Sequence, residues 1–227
     1  MEPEFWRERW RTGQTGWHQA TPHPFLTDGT FASVLTPRGA IDPDVPPRVL
    51  VPLCGASVDM AWLHAGGFHV VGVDLAPEAL HHFLATERLE PRVETADGFE
   101  VHRAPGYELY AGDFFEATPE LLGPFDAIYD RAALVALPAP LRRRFATTVT
   151  ALCGPATRVA LVAFEYDAAR ASGPPFPVDD AEIAQLYGPT FRIERLARVD
   201  VLDENPRLRE RGLATLHETA HALSRAD

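Results

Sequence analysis

The feature that most constrains this chain is a series of short apolar runs, each stopped by a small or acidic residue. Arg48–Leu53, Phe68–Val73, Glu108–Tyr110, Phe125–Tyr129 and Arg158–Phe164 read as five buried strands. Val58–Ala65 reads as a helix ended by Gly66-Gly67, and Pro77 suits the first turn of a helix running to about Leu84. Leu141–Leu152 and Ala181–Leu186 read as further helices, and Phe191–Leu202 and Leu213–Leu223 as a closing pair of strands. Residues 90–108 fit either a short extra hairpin or a loop. Strands that alternate with helices need right-handed crossovers, which build a parallel sheet with helices on both faces. The expected class is therefore α/β.

The start of the chain is different. Trp6 and Trp10 stand four apart, which puts both rings on one side of a helix over Phe5–Trp10. Gly13 and Gly16 break that helix before Trp17-His18-Gln19, and Phe25–Leu35 reads as another short helix. The segment Thr36–Pro47 holds four Pro and one Gly and reads as a loop. The expected organisation is an N-terminal helical arm (residues 1–36) on a core (residues 48–227), one domain in all among 227 residues.

Charge and cysteine usage narrow the partners. With 21 basic and 32 acidic residues the net charge is −11, which argues against nucleic acid and against anionic membrane. No apolar stretch reaches 18 residues, and Met1-Glu2-Pro3-Glu4 lacks the apolar run of a signal peptide. Cys54 and Cys153 sit in apolar surroundings and make no disulfide framework. A reducing, cytoplasmic setting and a monomer are expected.

In parallel sheets ligands bind beyond the carboxyl ends of the strands. Here those ends are Leu53–Ser57, Asp74, Asp113, Asp130–Ala133 and Glu165–Asp167. The turn Leu53-Cys54-Gly55-Ala56-Ser57 is small enough for close approach of a ligand, yet its single Gly55 fails the Gly-x-Gly-x-x-Gly pattern that a pyrophosphate needs. Asp74, 19 residues after Gly55, is placed to accept hydrogen bonds from ribose hydroxyls; its structural alternative is a helix cap before Pro77. Asp113 can accept from an exocyclic adenine amine while Phe114 stacks or packs beside the base, or the two form a turn with a core Phe. Gly55, Asp74 and Asp113 together describe an adenosine site without phosphates. That favours S-adenosyl-L-methionine over NAD or ATP.

At this point the residues meet a family. Phe5-Trp6 with Trp10, Gly16-Trp17-His18-Gln19, Val51-Pro52-Leu53-Cys54-Gly55, Val71-Gly72-Val73-Asp74, Gly112-Asp113-Phe114-Phe115, Asp126 to Leu134, Glu165-Tyr166-Asp167 and Gly173-Pro174-Pro175-Phe176 occur in this order. From about residue 5 to 221 the chain resembles thiopurine S-methyltransferase. The resemblance implies a seven-stranded, mostly parallel, Rossmann-like methyltransferase sheet and methyl transfer from S-adenosyl-L-methionine to a small-molecule acceptor, foremost a thiol. It implies that Trp6 and Trp10 enclose the cofactor, that Trp17 touches cofactor and acceptor, and that Leu53 offers a backbone contact to the methionine part. Asp74 takes the ribose role, and Asp113 with Phe114 the adenine role. Arg131 stands near the methionyl and acceptor groups, Arg207 aligns with a second acceptor-side Arg, and Pro175 and Phe176 belong to a loop beside the acceptor. Ala56 stands where many relatives carry Lys, Asp74 replaces a Glu common in the animal enzymes, and Trp17 is bulkier than the Phe often found there.

Chemistry adds to this. An ionised thiol needs no strong base, so Arg131 is the expected catalytic group, favouring the thiolate by charge; a structural ion pair with Asp126 or Asp130 is its alternative. His18 is the nearest candidate base by motif. Methyl transfer to halide, thiocyanate, or selenium and tellurium species is the alternative within the fold, and a non-catalytic S-adenosyl-L-methionine-binding module the alternative outside enzymes. His217-Glu218-Thr219-Ala220-His221 matches the zinc-hydrolase signature, but that chemistry needs a helix and a third ligand, and only six residues follow His221. His64, His69 and the His81-His82 pair show no partner spacing, so no metal is expected. Arg142-Arg143-Arg144 reads as a solvated helix face.

Overall fold

The computed structural model describes residues 3–36, 45–171 and 173–226. Most of the Pro-rich loop expected over residues 36–47 lies outside them. Nine strands form one sheet: β1 (Arg48–Pro52), β2 (His69–Asp74), β3 (Arg92–Ala96), β4 (Phe99–Ala104), β5 (Tyr107–Ala111), β6 (Ala127–Asp130), β7 (Arg158–Glu165), β8 (Phe191–Asp200) and β9 (His217–Arg225). Among the described residues nine α-helices accompany them: α1 (Pro3–Arg11), α2 (Pro24–Thr27), α3 (Ala32–Leu35), α4 (Val58–Ala65), α5 (Pro77–Thr86), α6 (Pro119–Leu122), α7 (Ala139–Leu152), α8 (Asp180–Tyr187) and α9 (Pro206–Glu210).

The strand order is β3-β4-β5-β2-β1-β6-β7-β9-β8. This corrects the expectation of seven mostly parallel strands. The four ladders among β5, β2, β1, β6 and β7 are parallel, and the outer ones are antiparallel, so the sheet is mixed. The two extra strands are the hairpin β3–β4, which continues the sheet beyond β5. Its turn is Asp97-Gly98, with φ of 47° and 85°. Positive φ at both central residues is what a tight hairpin turn demands, and Asp-Gly supplies it at low cost. The antiparallel side at the other edge arises because β8 and β9 are joined without a crossover back across the sheet.

Parallel strands are buried on both faces, and so they read as unbroken apolar runs. In β1, Leu50 faces one core with Val71, Ile128, Phe145 and Ile183, while Val49 and Val51 face the other with Met60, Leu63 and Phe83. Helices α7 and α8 cover the first face. The second is covered by α4, α5 and the short helices α2 and α3, through Phe25, Phe31 and Val34. The stretch Phe25–Leu35 is thus two single helical turns, separated at Asp28–Phe31.

A buried polar cluster fixes the arm to the core. Asp59, on α4, accepts from the His23 backbone N–H at 2.8 Å and from the Tyr129 hydroxyl of β6 at 3.1 Å. His23 Nε2 lies 3.1 Å from Glu218 Oε1 on β9. One carboxylate therefore joins arm, helix and strand where water does not reach, since Asp59 is only 1% exposed. Asp59→Ala strands a buried hydroxyl and a buried N–H, each of which costs about 1–3 kcal/mol when unpaired. We expect a loss of about 3 kcal/mol in urea unfolding; a loss below about 0.5 kcal/mol would show that the cluster does not hold the arm.

Candidate functional site

The strand order reverses its direction of growth at β1: the chain goes from β1 outward to β2 and later returns to place β6 on the other side. Loops that leave β1 and β6 therefore diverge, and the crevice between them is the place where such sheets bind ligands. Both loops contain non-glycine residues with left-handed backbone, Leu53 (φ 46°) and Ala132 (φ 66°). Such conformations cost about 1–3 kcal/mol and gather at binding sites.

Asp74 closes β2 and organises the crevice. Its Oδ2 accepts from Gly55 N–H at 2.7 Å and its Oδ1 from Ala76 N–H at 2.8 Å. Its backbone carbonyl accepts from Gly112 N–H at 2.9 Å. The loops after β1, β2 and β5 thus meet on one residue. Burial raises the Asp74 carboxyl to about 6, against the backbone N–H groups of Ala76, Gly55 and Leu75, which favour the anion. A carboxylate has about four acceptor positions, so each oxygen keeps a lone pair beyond its backbone partner. The residues present fit a ribose diol at Asp74.

Gly55 adopts φ of 54°, and a Cβ there would stand 2.9 Å from the Trp10 ring. Trp10 is therefore laid directly on the β1 turn. Trp17 meets Trp6 edge-on at 5.3 Å and Trp10 at 6.1 Å, and Trp10 and His18 both reach His82 of α5. Two ion pairs hold α1 down: Arg11 Nε lies 2.9 Å and Arg7 Nε 3.7 Å from the Glu78 carboxylate. Burial opposes ionisation of Glu78, and the Arg11 hydrogen bond helps to bring its pKa below the usual range.

On the β6 side, Asp130 is fully buried. Its Oδ1 accepts from Leu134 N–H at 3.1 Å, whereas its Oδ2 has no partner. Burial lifts this carboxyl to about 7, against the backbone N–H groups of Leu134 and Ala133. Arg131, half-buried, makes no ion pair or side-chain hydrogen bond among the described residues. Asp126 is instead taken by Arg48 N–H at 2.8 Å. The guanidinium lies close enough to His18 to lower its pKa, after burial and together with His82. The loop at residues 173–176 is fastened beside this turn, since Phe176 N–H donates to Val135 O at 2.6 Å and Tyr166 hydroxyl to Pro175 O at 2.5 Å. Arg207, on α9, touches Gly16, beside Trp17: a Cβ on Gly16 would fall 2.3 Å from its guanidinium.

The fold thus gathers Trp6, Trp10, Trp17, Leu53, Gly55, Asp74 and Arg131 around one crevice, with Arg207, Pro175 and Phe176 attached at its rim. Asp113 and Phe114 come to the neighbouring strand end but are engaged otherwise. Asp113 Oδ1 caps a 3-10 turn through Phe115 N–H at 2.9 Å, and Phe114, 1% exposed, packs on Phe145 at 5.2 Å between centroids. Its ring is part of the core wall. His82 and the orphaned Asp130 oxygen are additions; the strand-end rule points to Asp130, while nothing in the spacing points to His82. The zinc-like His217–His221 run lies on strand β9, where His221 bonds Asp180 at 2.9 Å and His217 bonds Arg198 at 3.2 Å. A groove of about 890 Å³ runs beside Tyr166, Phe176 and Arg142 toward α8, and neither Asp74 nor the Trp cluster lines it.

Solved structures share this architecture. A Burkholderia thailandensis 1,6-didemethyltoxoflavin-N1-methyltransferase, determined with 1,6-didemethyltoxoflavin and S-adenosylhomocysteine, superposes with TM-score 0.59 at 17% identity, covering 99% of this chain and 87% of that one. A TehB-like SAM-dependent methyltransferase from Corynebacterium glutamicum gives TM-score 0.54 at 15% identity, covering 99% and 98%. The fold is that of the SAM-dependent methyltransferases. The family model for thiopurine S-methyltransferase (TPMT) matches residues 1–226. The curated thiopurine S-methyltransferase of Methylococcus capsulatus is 43% identical over 224 residues, covering 98% of this chain and 97% of its own. This chain belongs to the thiopurine S-methyltransferase family and is a methyltransferase.

The Asp130 carboxyl has a testable consequence for stability. In the unfolded chain it titrates near 3.8 and in the folded chain near 7. Between these values the native state binds a proton that the unfolded state does not. The associated stability is full below about pH 4 and is lost as pH rises through about 7. At 1.36 kcal/mol per unit, this amounts to about 2–3 kcal/mol between pH 5 and pH 8. Asp130→Asn should remove that part of the slope in urea unfolding at the two pH values; parallel behaviour of the two proteins would refute it.

Proposed function

We propose that this enzyme moves the methyl group of S-adenosyl-L-methionine to the sulfur of a small thiol, with Arg131 as the group that favours the thiolate. The cofactor, when bound, supplies a methyl group on a sulfonium, which needs no activation by the protein. The task left to the chain is to hold, align and dry the reacting partners.

Asp74 takes the ribose hydroxyls on the lone pairs left by Gly55 and Ala76. Leu53 and Gly55 bring open backbone to the methionine part, and Asp113, whose Oδ1 is committed to Phe115 N–H, offers its Oδ2 to the base, with Phe114 as the core wall behind it. Trp6, Trp10 and Trp17 form the lid over this crevice and keep water out. Orientation of this kind contributes about 7–11 kcal/mol toward lowering a bimolecular barrier. The observation that carries the thiol reading is Arg131: a half-buried cation at the crevice, without an ionic partner among the described residues, in a chain of net charge −11. A guanidinium in that position lowers the pKa of an incoming thiol and holds the resulting anion. His18, held neutral by burial, His82 and Arg131, adds no competing charge. Arg207, Pro175 and Phe176 bound the acceptor's outer side. Every group invoked comes from one chain, so a monomer suffices, and two free buried cysteines suit a reducing cytoplasm.

Two substitutions separate the roles. Asp74→Ala should weaken S-adenosyl-L-methionine binding in isothermal titration by about 10–150-fold, the equivalent of about 1.5–3 kcal/mol for hydrogen bonds to a charged group. Arg131→Ala should leave that affinity within about threefold and lower kcat/KM for an aromatic thiol at least tenfold. Equal losses in both quantities would make Arg131 a cofactor-binding residue, and turnover on no thiol at all would overturn the acceptor class.

A further inference from the structure

Away from the crevice, three side chains converge where α5 crosses the edge hairpin. Glu100 and His102 stand two apart on β4, which puts them on one face of the strand. His81 reaches the same spot from α5. Glu100 Oε1 lies 2.9 Å from His102 Nε2 and 3.9 Å from His81 Nε2. The three ligand-type atoms all fall within 4.8 Å of one another, and the two rings meet edge-on at 5.2 Å. We propose that His81, Glu100 and His102 form a site for a borderline divalent transition cation, zinc first.

The donor set fits that class. Two imidazoles and one carboxylate suit Zn²⁺, Ni²⁺ or Cu²⁺, whereas Mg²⁺ and Ca²⁺ want all-oxygen shells. Zinc at 2.0–2.2 Å from each donor needs donor separations of about 3.3–3.5 Å in a tetrahedron. Reaching this takes about half an ångström at each of the two Glu100 separations and up to about 1.4 Å between the two histidines. The two donors that must move are the mobile ones, since the His81 and Glu100 side chains are 59% and 49% exposed. His102 is the fixed point, with its ring 2% exposed. Its Nδ1 is buried without a partner. An apolar residue would fill that place without leaving a polar atom unpaired, and ligation gives the ring a strong partner at its other nitrogen. The same orphaned Nδ1 limits the affinity. Strong sites hold the second nitrogen of each histidine with a hydrogen bond, and loss of such support weakens binding about 10–100-fold. The fourth position is left to water.

The test uses the full chain without an affinity tag, stripped of metal by a chelator. Titration with zinc chloride should give one cation per chain, and saturating zinc should raise Tm by roughly 3–6 °C. Cobalt in place of zinc should give the visible absorption of a low-coordinate N/O site. His81→Ala and Glu100→Gln change exposed positions, and each should weaken zinc binding at least tenfold and erase the cobalt spectrum. Magnesium chloride should produce none of these effects. His82→Ala should bind zinc as the parent does. If His82→Ala abolishes binding while His81→Ala does not, the cation sits between His18 and His82 and the assignment fails. Absence of zinc binding to the parent chain at a large molar excess of zinc chloride also overturns it.

Discussion

The crevice depends on a single buried carboxylate. Asp74 receives an N–H from the β1 turn and another from the β2 turn, and its own carbonyl receives one from the β5 turn. Three loops that would otherwise wander are thereby fixed relative to each other before any ligand arrives. The cost is visible in the pKa of about 6, because a carboxylate enclosed by protein has lost its water. In the proposed function, ribose hydroxyls would replace that water in kind. The group proposed to bind is thus also the group that preorganises.

A second constraint follows from the same turn. Gly55 must be glycine on two grounds: its φ of 54°, and the Trp10 ring within 2.9 Å of where a Cβ would stand. The arm is therefore fitted to the crevice and not merely tethered near it. Its two anchors differ in kind. The His23–Asp59–Tyr129 cluster is buried and rigid, whereas the Arg7 and Arg11 pairs with Glu78 lie at the surface, where ion pairs contribute little and weaken with salt. The arm is thus held firmly at residue 23 and more weakly at α1.

The parallel centre of the sheet was legible because strands buried on both faces must be continuously apolar. The hairpin was legible only as one of two readings of residues 90–108, because Arg92–Ala96 is largely exposed and shows no apolar face; the signal that decides it is the Asp97-Gly98 turn. Trp6 and Trp10 announced a helix face by their spacing, but nothing local said that Gly55 lay beneath it. Asp74 and Arg131 followed from strand ends, a rule about topology. Phe114 did not follow, since an aromatic ring after a strand can turn toward ligand or core, and here Phe145 takes it. His81 and His102 belong to different elements, so only the folded chain brings them within reach of Glu100.

Helix α5 joins the arm, the hairpin and the β2 strand end. Glu78, His81 and His82 occupy positions i, i+3 and i+4, so they crowd one side of the helix within a single turn. Glu78 latches the arm, His82 stands against Trp10 and His18, and His81 points to the hairpin. The helix itself begins at the Asp74–Ala76 turn. A cation clamping His81 to β4 would stiffen the hairpin side of the helix whose other side chains hold the arm.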